Sequence, residues 1–122
     1  MAHAVPRRRV LFIEDEPALR SSYRRAFASR YEAVFAASGA EALRMLEEQP
    51  PDIAVLDLRL PDTDGIDLLR RLRARIPALP VIITSAYVSV EPQLRALDLS
   101  HNGYLVKPFD LADLAQRIDA VG

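Results

Sequence analysis

The chain has 122 residues, half of them hydrophobic, with 16 lysines and arginines against 17 acids and a net charge of −1. That is the size of one domain, large enough to bury a core without disulfides or a structural metal, and its charge gives no case for nucleic acid or an anionic membrane surface. The absence of cysteine excludes thiol catalysis and Cys-ligated zinc and fits a reducing, cytoplasmic setting, and no apolar run approaches the roughly 20 residues of a membrane span.

Residues 1–8 read as a short disordered tail, with Arg7, Arg8 and Arg9 solvated. Arg8-Arg9 ahead of Val10 does not make a twin-arginine leader, because the apolar run is four residues long and ends in acid. Short apolar runs then alternate with amphipathic segments. The runs are Val10–Ile13, Ala33–Ala36, Ile53–Leu56, Val81–Ile83 and Tyr104–Val106. Several are continuous rather than alternating, as in strands buried on both faces of a parallel sheet.

Helical spacing links them. Leu19, Tyr23, Ala26 and Phe27 share one face of the first helix, with Arg20, Arg24 and Arg25 mostly on the other. Ser38 and Glu41 form a capping box for the second helix. Asp64 caps the third and Asp110 the last. A fourth helix around Val90–Leu99 has Pro92 in its first turn. The expected architecture is α/β, a (βα)5 single domain over 9–120 with helices on both sheet faces and no output domain in the chain. In such a fold the functional site lies beyond the carboxyl ends of the strands.

Those ends carry chemistry. Strand 1 runs into Glu14-Asp15-Glu16, strand 3 ends at Asp57, strand 4 at Thr84-Ser85, and strand 5 at Lys107-Pro108. A lone acid at such a place is usually a loop residue or a cap, and a lone serine or lysine is usually a turn hydroxyl or a solvated charge. Together they form a set. Carboxylates brought close cannot all ionise cheaply without a counter-charge, and a hard divalent cation such as Mg²⁺ supplies one. Asp57 has the chemistry of a nucleophile that forms an acyl phosphate. Lys107 and a hydroxyl can hold a phosphoryl group. Lys107 is also the single lysine in the chain; the other fifteen basic residues are arginine. A compact ammonium is thus retained where a guanidinium fork would not serve. Glu16 reads as complementing the dipole of the first helical turn.

Four stretches, "VLFIEDEP", "DIAVLDLRLPDTDGIDLL", "LPVIITSAY" and "GYLVKPFDLADL", resemble the receiver domain of two-component response regulators, CheY-like proteins, from about Arg9 to Ile118. The resemblance implies a flavodoxin-like sheet of order 2-1-3-4-5. It implies Asp57 as phosphoacceptor, with Glu14, Asp15, Asp57 and the backbone carbonyl of Arg59 around Mg²⁺ or Mn²⁺. It implies Ser85 as the switch hydroxyl, since Ser85 lies five residues after Pro80 and directly before Ala86. Tyr104 would be the aromatic that reorients with it, and Lys107 the partner of the phosphorylated Asp57, through a cis Lys107–Pro108 peptide. Arg59, Ala86 and Tyr87 would hold the positions that tune hydrolysis. The implied partners are a sensor histidine kinase or histidine phosphotransfer protein, a downstream protein or missing output domain, and a phosphorylation-dependent homodimer. No contact with nucleic acid or membrane is expected from this domain. It would be a signalling switch rather than an enzyme, catalysing only its own Mg²⁺-dependent phosphorylation and dephosphorylation. Its conformational change would fall on the face of the fourth helix, fifth strand and fifth helix. On that face "SHNGY" and the short, Pro-containing fourth helix depart from the family pattern and bear on the dimer mode.

Other readings fit less well. "DTDG" (Asp62–Gly65) resembles a haloacid dehalogenase motif, but the strand ends five residues earlier, so a helix-capping loop explains Asp62 and Asp64 better. As an EF-hand the same segment has Leu60 and Arg71 where acids are needed. A flavin-binding carrier would need a neutral loop where Glu14-Asp15-Glu16 stands. The remaining alternative is a pseudo-receiver, a binding module of the same fold that works without phosphorylation.

Overall fold

A computed structural model describes residues 7–88, 90–96 and 101–121. Strands and helices alternate: β1 (Arg9–Ile13), α1 (Pro17–Phe27), β2 (Glu32–Ala36), α2 (Gly39–Glu48), β3 (Ile53–Asp57), α3 (Gly65–Arg75), β4 (Val81–Ser85), α4 (Val90–Ala96), β5 (Gly103–Val106) and α5 (Leu111–Ala120). The strands form one parallel sheet in the order β2-β1-β3-β4-β5, as expected. The part of the expected tail before residue 7, and residues 97–99 of the expected fourth helix, lie outside the described residues. Pro92 is the third residue of α4, where its missing N–H breaks no helical bond.

The two-residue period of the strands sorts the core. Val10 and Phe12 of β1, with Ile53 and Val55 of β3, face one side, against Tyr23 and Phe27 of α1 and Leu114 and Ile118 of α5. Leu11, Ile13, Ala54, Leu56 and Ile83 face the other, against Leu46 of α2, Leu68 and Leu72 of α3 and Leu94 of α4. Both faces of β1 and β3 are buried, which is why their sequences run apolar without alternation. Phe12 anchors the first side, its ring 5.0 Å from Tyr23, 5.6 Å from Phe27 and 5.3 Å from Phe35. Burying a side chain of this size contributes about 1.5–3 kcal/mol.

The helix starts follow local chemistry, with two corrections. Ser38 accepts the Glu41 amide at 3.2 Å and Asp64 accepts the Ile66 amide at 2.9 Å, both as expected. Asp110 occupies the N-cap of α5, but its side chain caps nothing. Its own carbonyl takes the amides of Asp113 and Leu114 instead. Glu16 is not in the first turn of α1. It is the N-cap residue, without a side-chain cap, and Pro17 after it has no N–H to satisfy.

The three N-terminal arginines nevertheless bond to the folded domain, Arg7 from an exposed position. Arg7 donates to the Ala28 carbonyl at 2.9 Å, beyond the end of α1. Arg8 donates to the carbonyls of Ile118 (2.7 Å) and Val121 at the end of α5. Arg9 opens β1, its amide bonded to Asp52 at 2.7 Å and its guanidinium to Glu32 at 3.2 Å. Helix C-termini leave carbonyls without intrahelical partners, and guanidinium groups satisfy them.

The segment after Asp57 folds back on itself. Arg59 and Asp64 form an isolated antiparallel bridge, and the Gly65 amide donates to the Leu58 carbonyl at 3.0 Å. A Cβ on Gly65 would stand 2.3 Å from the Leu58 Cα, a backbone atom that cannot yield. Gly65→Ala should therefore destabilise the fold by about 1–3 kcal/mol, the usual range for overpacking, read as a lower urea midpoint. A midpoint equal to wild type would mean that the loop after β3 relaxes freely.

Candidate functional site

At the carboxyl edge of the sheet an open cleft of about 790 Å³ is lined by Glu14, Asp15, Asp57, Arg59, Ser85, Ala86, Tyr87 and Lys107, among others. Every expected site residue except Tyr104 and Pro108 is on its wall. The strand period places them. Glu14 continues the side of Val10 and Phe12, Asp57 that of Ile53 and Val55, and Lys107 that of Leu105, so all three lean toward α1 and α5. Oxygens of Glu14, Asp15 and Asp57 lie within 4.8 Å of one another.

Glu14 is 1 % exposed and Asp57 4 %. The Lys107 ammonium joins them, 2.9 Å from Glu14 Oε1 and 3.1 Å from Asp57 Oδ2. Lys107 is itself fixed by its amide, which donates to the Ser85 carbonyl at 2.7 Å, and the following Lys107–Pro108 peptide is cis. Asp57 Oδ1 accepts the Arg59 amide at 3.3 Å, and Glu14 Oε2 accepts the Glu16 amide at 3.1 Å.

One ammonium does not neutralise this set. Burial, more than any other influence, pushes the Glu14 carboxyl up to about 7, and the charge of Asp57 adds to it against the opposing bonds from Lys107 and Glu16. Burial works against the Lys107 charge too. The bond to Glu14 and the charges of Asp57 and Glu14 outweigh it, so its pKa is raised. Below the acids, burial first and then the charges of Glu14, Asp57 and Glu16 push the Tyr23 phenol far above its usual range. Its hydroxyl is buried without a hydrogen-bond partner among the described residues. An excess of carboxylate oxygen, partly held protonated, is a donor set suited to a hard divalent cation.

The hydroxyl alternatives separate. Ser85 lines the cleft, whereas Thr84 does not, and among the described residues the Thr84 hydroxyl is buried without a partner. Ser85 Oγ accepts the Tyr87 amide at 3.0 Å. Tyr104, on the α2–α4 side of the sheet, donates its hydroxyl to the Tyr87 carbonyl. Tyr87 is thus held at its N–H by Ser85 and at its C=O by Tyr104, while its side chain is 63 % exposed. In "SHNGY", Asn102 pairs with Val81, its Oδ1 accepting that residue's amide at 2.9 Å and its own amide meeting that residue's carbonyl at 2.7 Å. His101 meets Glu91 of α4 at 2.8 Å.

Two supports escape sequence reasoning. Asp62 accepts the amides of Gly39 (2.8 Å) and Ala40 (2.9 Å), fastening the loop after Asp57 to the start of α2. Those bonds hold its carboxyl below the usual range. The capping reading of "DTDG" stands, but Asp62 caps a helix more than twenty residues away in the chain. Arg20, assigned to the polar side of α1, turns back to the Glu14 carbonyl at 2.9 Å. Its i+4 relation to Glu16 hinted at reach toward the acidic turn but not at its target.

Comparison with known proteins agrees with this geometry. The sequence model of the family described as "Response regulator receiver domain" matches residues 10–119. The transcriptional regulatory protein KdpE of Mycobacterium tuberculosis is 41 % identical over 112 residues, 91 % of this chain and 49 % of that protein. The response regulator MprA of Mycobacterium leprae is 38 % identical over 114 residues, 93 % of this chain and 50 % of that one. The chain spans about half the length of these relatives. Among solved structures, a CheY-like receiver domain protein from Methanospirillum hungatei superposes with a TM-score of 0.84 at 28 % identity, covering 92 % of this chain and 90 % of its own. The response regulator TrrA of Thermotoga maritima, solved in complex with Mg²⁺-BeF, gives 0.81 at 25 % identity, covering 92 % of this chain and 96 % of its own.

The charge conflict has a measurable consequence. Unfolded Glu14 titrates near 4.5 and folded Glu14 near 7. Between those values the folded state keeps a proton the unfolded state has lost, so this group's contribution to metal-free stability falls as pH rises through the window. The contribution of Lys107, whose pKa is raised above 10.5, stays whole there. In the presence of a chelator, the melting temperature of Glu14→Gln should therefore fall less between pH 5 and pH 8 than that of wild type. Parallel curves would locate the conflict elsewhere.

Proposed function

The chain belongs to the response regulator receiver domain family, and from that premise we propose that it is a phosphorylation-controlled switch that accepts a phosphoryl group on Asp57. The observation that carries this is the Lys107 ammonium held between Glu14 and Asp57 with Asp15 beside them, at the carboxyl edge of the sheet. The donor would be a histidine kinase or histidine phosphotransfer protein in the cytoplasm, as befits relatives named as response regulators. The receiver of the signal would be a downstream protein or an output domain. Among the described residues no helix is long and apolar enough to cross a membrane.

In the reaction an Asp57 carboxylate oxygen attacks phosphorus. The new P–O bond forms as the P–N bond to the donor histidine breaks, and the electron pair returns to the imidazole, which takes up a proton. Lys107, already on Asp57 Oδ2, offsets charge on the transferring oxygens. Glu14, Asp15, Asp57 and the Arg59 carbonyl would hold Mg²⁺ or Mn²⁺, which supplies further charge compensation for the phosphoryl group. Arg59, Ala86 and Tyr87 stand at the cleft wall, where they would govern access of water to the acyl phosphate. The chemistry is confined to the domain's own carboxylate, so the protein is a switch rather than an enzyme acting on other substrates.

The readout would run through Tyr87. A phosphoryl group on Asp57 competes for the Ser85 hydroxyl that now accepts the Tyr87 amide, and the same residue's carbonyl is what holds Tyr104. The response is a shift between two states rather than a new fold.

Incubation with a small-molecule phosphodonor and Mg²⁺, followed by intact-mass measurement, tests the proposal. Wild type should gain one phosphoryl group; Asp57→Ala, Asp15→Asn and chelator-treated protein should not. A wild type that gains nothing would leave a phosphorylation-independent binding module. Gain by Asp57→Ala would move the site.

A further inference from the structure

We infer that Arg20 is a positioning residue for the acidic turn, fixing through the Glu14 carbonyl the direction in which Asp15 presents its carboxylate. The inference rests on the metal-binding reading proposed above and adds to it a residue from α1.

Every polar atom of Glu14 is engaged. Its amide donates to the Ala36 carbonyl at 2.9 Å, Oε1 meets Lys107, Oε2 accepts the Glu16 amide, and its carbonyl accepts Arg20 Nη1 at 2.9 Å. Asp15 differs: among the described residues no hydrogen bond holds its carboxylate, although one of its oxygens lies with those of Glu14 and Asp57. Its direction therefore follows from the backbone that carries it and the rotamers that backbone allows. The peptide joining Glu14 to Asp15 is planar, so holding the Glu14 oxygen orients the plane that contains the Asp15 nitrogen and Cα. The first three bonds fix Glu14 upstream of that plane, and the Arg20 bond acts on the plane itself. Arg20 is well placed to do so. It sits one turn into α1, its amide bonded to the Glu16 carbonyl at 3.1 Å, so the helix that begins at Pro17 closes the turn it follows. A charged donor on a neutral carbonyl is among the stronger hydrogen bonds.

Position and charge predict opposite signs, which makes the test sharp. A cation beside a cation site disfavours Mg²⁺. If charge were the whole effect of Arg20, removing it would tighten Mg²⁺ binding. If it positions Asp15, removing it loosens binding. Mg²⁺ affinity of the full chain, measured by calorimetry, should fall roughly tenfold in Arg20→Met, the factor that ~1.4 kcal/mol converts to. Arg20→Lys, which keeps the charge and one donor, should lie between. The amide resonance of Asp15 in the metal-free protein should shift in Arg20→Met more than those of β4, a change that loss of global stability would not localise. Phosphorylation by a small phosphodonor should need more Mg²⁺ in Arg20→Met yet reach the wild-type rate at saturation.

Unchanged or tighter Mg²⁺ binding in both variants, or an unmoved Asp15 amide, would overturn the inference while leaving Asp57 phosphorylation intact. A wild type that binds no Mg²⁺ and gains no phosphoryl group would instead sink the proposed function. The metal-free Asp15 amide would still report on the clamp.

Discussion

The site depends on burying two carboxylates, Glu14 and Asp57, under one ammonium. Ionised groups removed from water cost several kcal/mol each unless paired, and pairing succeeds only with close geometry. Lys107 achieves it across the sheet. It leaves the chain just past β5 and ends between β3 and β1, so its stem crosses β4, with strands spaced ~4.8 Å apart. A slender stem with a compact head can pass there and touch one oxygen of each acid, whereas a guanidinium is broad and planar. One positive charge against two buried carboxylates and a third more open to solvent leaves the balance negative, and Glu14 rises toward neutrality in response. The surrounding structure serves this arrangement. Amides from Arg59 and Glu16 take the remaining oxygens, and Asp62 ties the loop after Asp57 to α2.

The sheet also divides the work. Glu14, Asp57 and Lys107 lean toward α1 and α5, while Tyr104 packs on the side of α2–α4. A parallel sheet is a poor conductor of side-chain motion through its plane, because its backbone groups are locked in the ladder. Contact between the acids and the α2–α4 side is made at the ends of β4 and β5. There Ser85, which follows Val81 and Ile83 on that side yet lines the cleft, accepts the Tyr87 amide, and Tyr104 on the same side donates to the Tyr87 carbonyl. This explains why a residue with an exposed ring is structurally central: what matters is its backbone.

The parts of this arrangement that sequence makes legible are those set by local pattern. Apolar runs ending in acid placed Glu14, Asp15 and Asp57 at strand ends, and the caps at Ser38 and Asp64 follow from residues two or three positions away. A lone lysine among arginines marked Lys107. The missed features pair residues far apart in the chain or reverse a long side chain. Arg8 reaches the last turn of α5, Asp62 reaches α2, and Arg20 bends back over a turn from which helical periodicity directs it away. Asp110 shows the opposite failure: the local pattern is right for a cap, yet the bonds at this start come to its backbone carbonyl and none to its side chain.

On the proposed function, phosphorylation deepens the imbalance that the fold already carries. An acyl phosphate carries about −1.5 to −2 charges near pH 7 in place of the single charge of the carboxylate, so phosphorylation adds up to about one negative charge, at a place where the protein offers one ammonium. Lys107 can turn from Glu14 toward the new oxygens, but Glu14 then loses its counter-charge and gains reason to stay protonated. A bound cation relieves this in part. The remaining acceptors need donors, and the Ser85 hydroxyl, which lines the cleft and accepts the Tyr87 amide through its oxygen, has a proton to give. Drawing it in frees the Tyr87 amide, and a freed amide at the head of the segment before α4 must find another partner or move. The electrostatic debt of the site is thus discharged as a backbone rearrangement on the far side of β4. On that proposal the domain would need no hinge or lid to signal its state, because the charge conflict at the ends of β1 and β3 would drive the change.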